Sequence, residues 1–395
     1  MEEKIRRSRE HLSFIRGALT AIAVIAIVYF ASMVLPVGGA AKKPGTLQAL
    51  RKAKEIERVI QNNYLDEIDE QKQTDYMFLG QVAGLEDEYS TYYTAEQYAA
   101  IQKKQSGSFM GIGISIAVSE EQDGEVVITE CLDNYPAALA GVQPEDVILA
   151  VNGTSVEGKT SSEVAAMIQS SEGNVVLLQL KRKAIAEPLE IEIEMTEMER
   201  TSVTGEMLED SISYIAISGF TGVTANQFKT TYGELKIQGM EKLIIDLRNN
   251  PGGLLDSVCD TLSQVLPKGV IVYTVDKNGD RKERTCEGIN RIDIPLVVLV
   301  NGESASAAEI FAGAVQDYKV GTIVGEQTFG KGIVQDAFRL SDGSYLKLTV
   351  SRYYTPKGHD IHKVGIKPDV KVEMPADSET DVQLEKALEV IRKMK

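Results

Sequence analysis

Apolar and polar positions follow two different periods along this chain, and the places where the period changes mark its parts. Leu47, Leu50, Ile56, Val59 and Ile60 recur at helical spacing, which predicts a helix over 47–62; further helices are expected at 76–85 and 95–103, making 46–103 a helical segment. From Ser106 the pattern shortens to alternating strands at 111–118, 125–129, 146–151 and 175–181, with one helix at 161–168. These elements predict a small barrel-like β domain over 104–186. The strict alternation from Leu189 to Met195 predicts a half-exposed strand leaving that domain.

Past residue 195 the texture changes again. Leu243–Leu247 and Pro295–Asn301 are near-continuous apolar runs, the mark of strands buried on both faces. Each leads through a tight turn into a helix, at 254–265 and 306–318, and a strand at 212–218 with a helix at 225–236 precedes them. Tandem strand–turn–helix units predict a partly parallel sheet over 195–375, with functional loops at the carboxyl ends of its strands. A closing helix is expected over 382–394, within 376–395. The fold class is therefore multidomain α/β.

One run stands apart. Ala18 to Leu35 carries no charge and is closed by Pro36. Taken as 17–37, at 1.5 Å per residue it spans a bilayer core of about 30 Å. The basic stretch 1–16, net +2, predicts a cytoplasmic start and an exported remainder. Two readings stay open: an uncleaved single-pass anchor, or a signal peptide cut near Gly38-Gly39-Ala40 that releases a secreted protein.

Charge sharpens this picture. The chain of 395 residues holds 42 Lys and Arg against 58 Asp and Glu, a net of -16, so the balance outside the basic start is -18. That surplus argues against a nucleic-acid partner, which needs a basic face. Residues 55–96 (net -9) and 185–210 (net -8) are read as solvated acidic faces, whereas 317–367 is net +3. Cys131, Cys259 and Cys286 lack metal-ligand spacing, and no metal or cofactor is implied.

Candidate chemistry sits in two turns of the α/β region. Ser306 stands at a strand-to-helix corner, where a helix N-terminus favours developing negative charge; Ser306-Ala307-Ala308-Glu309 also reads simply as a capping box. A serine nucleophile needs a base. His359 or His362, oriented by Asp360 or Asp369, is one option; Lys331, with no other charge from Gln327 to Gln335, is the other. Lowering a lysine from about 10.4 to about 8 makes roughly a tenth of it neutral at pH 7, a shift that burial achieves.

Motifs then point to families. Gly111-Ile112-Gly113-Ile114, Pro136 to Val142, Asp146-Val147-Ile148 and Val151-Asn152-Gly153 resemble a PDZ domain of the bacterial protease-associated type, departing at Glu145, where that pattern usually has Gly. Two glycines before an edge strand suit an anion and an added peptide strand, so Gly111, Ile112, Gly113 and Ile114 are candidate peptide-binding residues. Asn301 to Ile310, Gly325 to Gln335, Asp342 to Pro356, Arg248 to Gly253 and Gly365 to Asp369 closely resemble the carboxyl-terminal processing proteases, or tail-specific proteases.

That resemblance covers about residues 50–390 and implies a serine protease core. By position it implies Ser306 as nucleophile, Lys331 as general base, Gln335 as the residue orienting the base, and the N–H groups of Gly252 and Ala307 as oxyanion hole. Gln335 shares strand-face parity with Lys331. The implied protein is an extracytoplasmic endopeptidase acting on proteins or peptides with exposed apolar C-termini. The resemblance further allows PDZ gating of the active site and a homodimer through the terminal helices. The alternative is a noncatalytic PDZ adaptor that only captures C-termini.

Overall fold

The computed structural model describes residues 46–119, 124–375, 378 and 380–394. The expected span 17–37 lies outside them; among the described residues no helix is long and apolar enough to cross a membrane. The chain divides into two compact units, one through Thr74 and one from Asp75 onward. In the first, the amphipathic pattern becomes the helix Thr46–Asn63, with Leu47, Leu50, Ile56 and Val59 exposed.

In the second unit the buried apolar runs form the central sheet. Its strands run in the order Val203–Met207, Ile212–Ile217, Lys242–Asp246, Leu296–Val300, Thr322–Gly325, Val370–Lys371. The first pair is antiparallel and every later pair parallel. Both faces are covered, as the continuous runs predict. Leu243, Ile245, Leu296, Val298 and Val300 pack with Phe228, Val258, Leu262 and Phe311 of the helices Thr224–Ile237, Leu255–Leu262 and Ala307–Tyr318. Ile244, Val297 and Leu299 face the other way, against Ala387 and Ile391 of Val382–Lys393. The apolar stripe of the last helix is thus engaged with its own core.

A second, antiparallel sheet escaped the periodicity. Tyr345–Tyr354 pairs with Thr91–Tyr93, Gly269–Asp276 and Ile333–Arg339, and Arg281–Cys286 extends it beyond Gly269–Asp276. Its strands mix exposed and half-buried positions, so no strong alternation announces them. Segment 46–103 is accordingly not all helical: Thr91–Tyr93 is a strand of this sheet, flanked by the helices Glu70–Ala83 and Ala95–Ser106.

The small β domain is an antiparallel sheet in the order Ile114–Val118, Val126–Cys131, Val147–Val151, Val175–Lys181, Leu189–Glu194, with the helix Ser161–Gln169 beside it. The expected single strand over 111–118 breaks at Ile112-Gly113 into Ser108–Gly111 and Ile114–Val118. Leu189–Glu194 does not leave the domain. It pairs along Val175–Lys181 and sends Ile193 into the core, because its alternate apolar positions match a free sheet edge. The exit is the next strand, Thr196–Glu199, which pairs with the entry strand Ser108–Gly111.

Candidate active site

Two loops at carboxyl ends of parallel strands, after Lys242–Asp246 and after Leu296–Val300, lie side by side. Asn301 and Asn249 exchange hydrogen bonds at 2.8 and 2.9 Å, and Ser304 donates to the Leu247 carbonyl at 2.8 Å. Asn250, fully buried, donates to the Ile217 carbonyl at 2.8 Å and accepts the Ala305 N–H at 2.9 Å. These bonds fix the corner at which Ser306 sits.

Ser306 itself has φ 54° and ψ -112°, a backbone conformation that a side-chain-bearing residue adopts only when its surroundings enforce it. Glu309 adds to the bonds that enforce it. This carboxylate is inaccessible to solvent and accepts four hydrogen bonds: Ser306 N–H at 2.9 Å, Lys331 N–H at 2.8 Å, Gly330 N–H at 2.7 Å and the Thr328 hydroxyl at 2.6 Å. One buried acid therefore joins the Ser306 corner to the Lys331 loop. The sequence showed Glu309 only as a capping residue, and the Ser306 N–H bond is that role.

Lys331 lies in the loop before Ile333–Arg339, half-buried. Among the described residues no carboxylate stands within ion-pair distance of its ammonium. Burial lowers its pKa below the ordinary lysine value and Lys347 adds to this, while Asp87 and Glu309 pull the other way. Tyr353, almost wholly buried, donates its phenol proton to the Lys331 carbonyl. Burial pushes that phenol well above the ordinary value, Glu309 adds, and a hydrogen bond with the Ser306 side chain opposes. Tyr353 had no signal in the sequence, because it reaches the site from Tyr345–Tyr354.

Ser306, Ala307, Lys331, Gln335 and Tyr353 line one cleft of about 390 Å³, walled by Leu254, Leu255, Ile310, Tyr93 and Tyr98. The expected parity of Gln335 with Lys331 does not survive: Lys331 precedes the strand, and a bulge falls between Val334 and Gln335. Gln335 reaches the cleft nonetheless, and its amide donates to the Thr349 hydroxyl at 3.3 Å.

Gly252 is pressed against the corner. Its φ is 101°, and a Cβ there would stand 2.7 Å from the Ala305 oxygen and 2.8 Å from the Ser306 Cβ. Its N–H donates to the Asn250 side-chain oxygen at 2.8 Å, so in this structure that donor is turned onto the protein. Ala307 is the first residue of its helix, where the N–H has no intrahelical acceptor.

Neither His359 nor His362 lines this cleft. His359 pairs instead with Asp317, Nδ1 to Oδ1 3.2 Å, and His362 borders a different cavity with Tyr89 and Arg352. A larger cavity of about 730 Å³ is bordered by Asp246, Arg248, Asp381 and Tyr214. Its charges already satisfy one another: Arg248 bonds Asp246 at 2.6 Å and Asp381 at 2.7 Å, and Tyr214 donates to Asp246 at 2.6 Å. The smaller cleft is lined together by a serine, a lysine and the first residue of a helix.

In the small domain, Ile114–Val118 occupies the edge of its sheet, with Ile112 buried before it. Gly113 has φ 81°, and a Cβ would meet Tyr135 at 2.3 Å, so glycine is required there. Glu145, where the family pattern has Gly, takes φ 70°.

Comparison with known proteins agrees with both domains. Peptidase family S41 matches residues 211–372, and the PDZ domain family matches 127–182. The chain is 38% identical over 317 residues to the carboxy-terminal processing protease CtpA of Bacillus subtilis, covering 80% of this chain and 67% of that protein. To the carboxyl-terminal-processing protease of Synechocystis it is 37% identical over 320 residues, 78% of this chain and 75% of the relative. A solved structure, the photosystem II D1 C-terminal processing protease, aligns at 30% identity and TM-score 0.48, covering 85% of this chain and 90% of that one.

Proposed function

Because this chain belongs to the serine-type carboxyl-terminal processing proteases of peptidase family S41, we propose that it is an extracytoplasmic endopeptidase with a Ser306–Lys331 dyad. The observation that carries the reading is one cleft holding a hydroxyl at a strained helix N-terminus and a half-buried lysine with no ion-pair partner among the described residues. Neutral Lys331 takes the Ser306 proton as the hydroxyl attacks a peptide carbonyl. The protonated amine then supplies the leaving nitrogen with a proton, and water hydrolyses the acyl-enzyme with the lysine again as base.

The oxyanion is held by the Ala307 and Gly252 N–H groups, the second of which must first leave Asn250. Gln335 positions the amine. An extended C-terminal tail adds to the edge strand Ile114–Val118, its carboxylate received by the backbone of Gly111 to Ile114. Residues 17–37 anchor the protein, or direct its secretion if they are cleaved, and of the two terminal helices Thr46–Asn63, whose apolar positions are exposed, serves dimerisation, the last helix being engaged with its own core.

The test is intact-mass analysis of a peptide with a free or amidated apolar C-terminus, incubated with wild type, Ser306→Ala and Lys331→Ala. Cleavage of the free form by wild type alone is expected. Turnover retained in either variant removes the dyad, and equal cleavage of the amidated peptide removes tail recognition.

A further inference from the structure

The turn Glu86–Ser90 reads in sequence as part of a solvated acidic face, yet the structure sets it on the Lys331 loop. The Lys331 Nζ lies 4.3 Å from the centre of the Tyr89 ring. The turn is built to hold that ring. Asp87 accepts the Tyr89 N–H at 3.2 Å and the Ser90 hydroxyl, and Ser90 in turn accepts the Thr349 N–H at 3.0 Å. Thr349 is also the residue that receives Gln335, so one position of Tyr345–Tyr354 anchors both the turn and the Gln335 amide.

An aromatic face attracts an ammonium through its quadrupole and has little hold on a neutral amine. We propose that Tyr89 is a positioning residue for Lys331, its ring fixing the amine beside the Ser306 cleft and favouring the protonated form. This rests on the reading of Lys331 as the base. The ring then works against burial, which favours the neutral amine.

Other groups face the same amine and set the background. Lys347, from Tyr345–Tyr354, disfavours the ammonium; Asp87 of the turn and Glu309 of the Ala307–Tyr318 helix favour it. Asp336 lines the Ser306 cleft, and Tyr353, with its raised phenol, stays neutral. The neighbouring cavity that Tyr89 also lines carries Glu86, Glu88, Asp276 and Lys277. It also carries Arg352, His362 and Lys363.

The experiment is kcat/KM against pH for the full chain and a peptide with a free apolar C-terminus, in wild type, Tyr89→Phe and Tyr89→Leu. Leucine keeps an apolar cover and removes the ring face. Its acid limb is expected about half to one pH unit below wild type. One unit below the wild-type midpoint, its rate relative to plateau then rises about three- to fivefold. The plateau itself falls, since the amine loses its fixed place. The phenylalanine variant keeps the acid limb of wild type.

A leucine limb that is unmoved or raised overturns the proposal, as does a phenylalanine limb that moves with it. Should the leucine variant fail to fold, pentafluorophenylalanine at position 89 keeps the shape and reverses the quadrupole, and the same downward shift is required. Failure of the dyad reading is a separate outcome: it shows as turnover surviving Lys331→Ala, whereas a dead Lys331→Ala with an unmoved leucine limb condemns only the role of Tyr89.

Discussion

Glu309 accepts the backbone N–H of Ser306 and the backbone N–H of Lys331 on the same carboxylate oxygen, at 2.9 and 2.8 Å. The two residues come from different loops, and no strand pairing joins them directly. Their relative placement is therefore held in part by a side chain that solvent does not reach, alongside Tyr353 and the Phe329 N–H bond to the Ser304 carbonyl at 3.1 Å.

Glu309→Gln tests that dependence. The amide keeps one acceptor oxygen and turns an NH₂ toward N–H donors that previously had a partner. Stability should fall by about 1–3 kcal/mol in urea titration, the range for buried groups left unmatched. The kcat should fall by about 100-fold or more, as for loss of an organised donor at an active site. Wild-type kcat in a folded Glu309→Gln protein would show that the link is dispensable.

Gly252→Ala places a methyl group where the Ala305 oxygen and Ser306 Cβ already stand, at a φ of 101°. Backbone strain of this kind costs about 1–3 kcal/mol. The corner must shift, so peptide cleavage should drop by about 100-fold or more while the far-UV spectrum stays native. Cleavage assays alongside thermal denaturation distinguish this from simple unfolding. An active Gly252→Ala protein would mean that the 251–253 turn has no part in the chemistry.

The lowered pKa of Lys331 carries a sign for stability. Below the folded-state pKa the amine is charged in both states, and its burial opposes folding in full. Above the ordinary lysine value it is neutral in both, and the opposition is gone. Lys331→Met should thus raise the thermal midpoint at pH 7, with the advantage shrinking as pH climbs through the folded pKa toward about 10.4. An advantage constant from pH 7 to 10.5 would trace it to packing instead.

Glu145 offers a test remote from the cleft. It is exposed and holds φ 70°, where the related pattern has Gly. Relief of the left-handed strain contributes about 1–2 kcal/mol, and the added freedom of glycine in the unfolded chain removes about 0.5–1. Glu145→Gly should therefore stabilise the protein by about 0.5–1 kcal/mol in urea titration. A destabilised variant would show that the Glu145 side chain supports its turn.

Much of this protein was legible before folding. The apolar runs at 243–247 and 295–301 specified strands covered on both faces, since only such strands tolerate apolar residues at consecutive positions. The motifs around Ser306 and Lys331 specified the family. Period alone could not reveal Tyr345–Tyr354 and its partners, whose half-buried positions give no clean alternation.

The tertiary structure decided what lies beside those motifs. Tyr89, Glu309 and Tyr353 stand at the site because strands and loops far apart in sequence meet there, and a hydrogen bond or ring contact across that distance leaves no local pattern. The same reason explains Gln335, whose parity with Lys331 looked sufficient in sequence but is broken by a bulge. Sequence determined which groups this protein carries and which elements present them; only the packed chain determined the partners that hold the Lys331 amine and the Ser306 backbone in place.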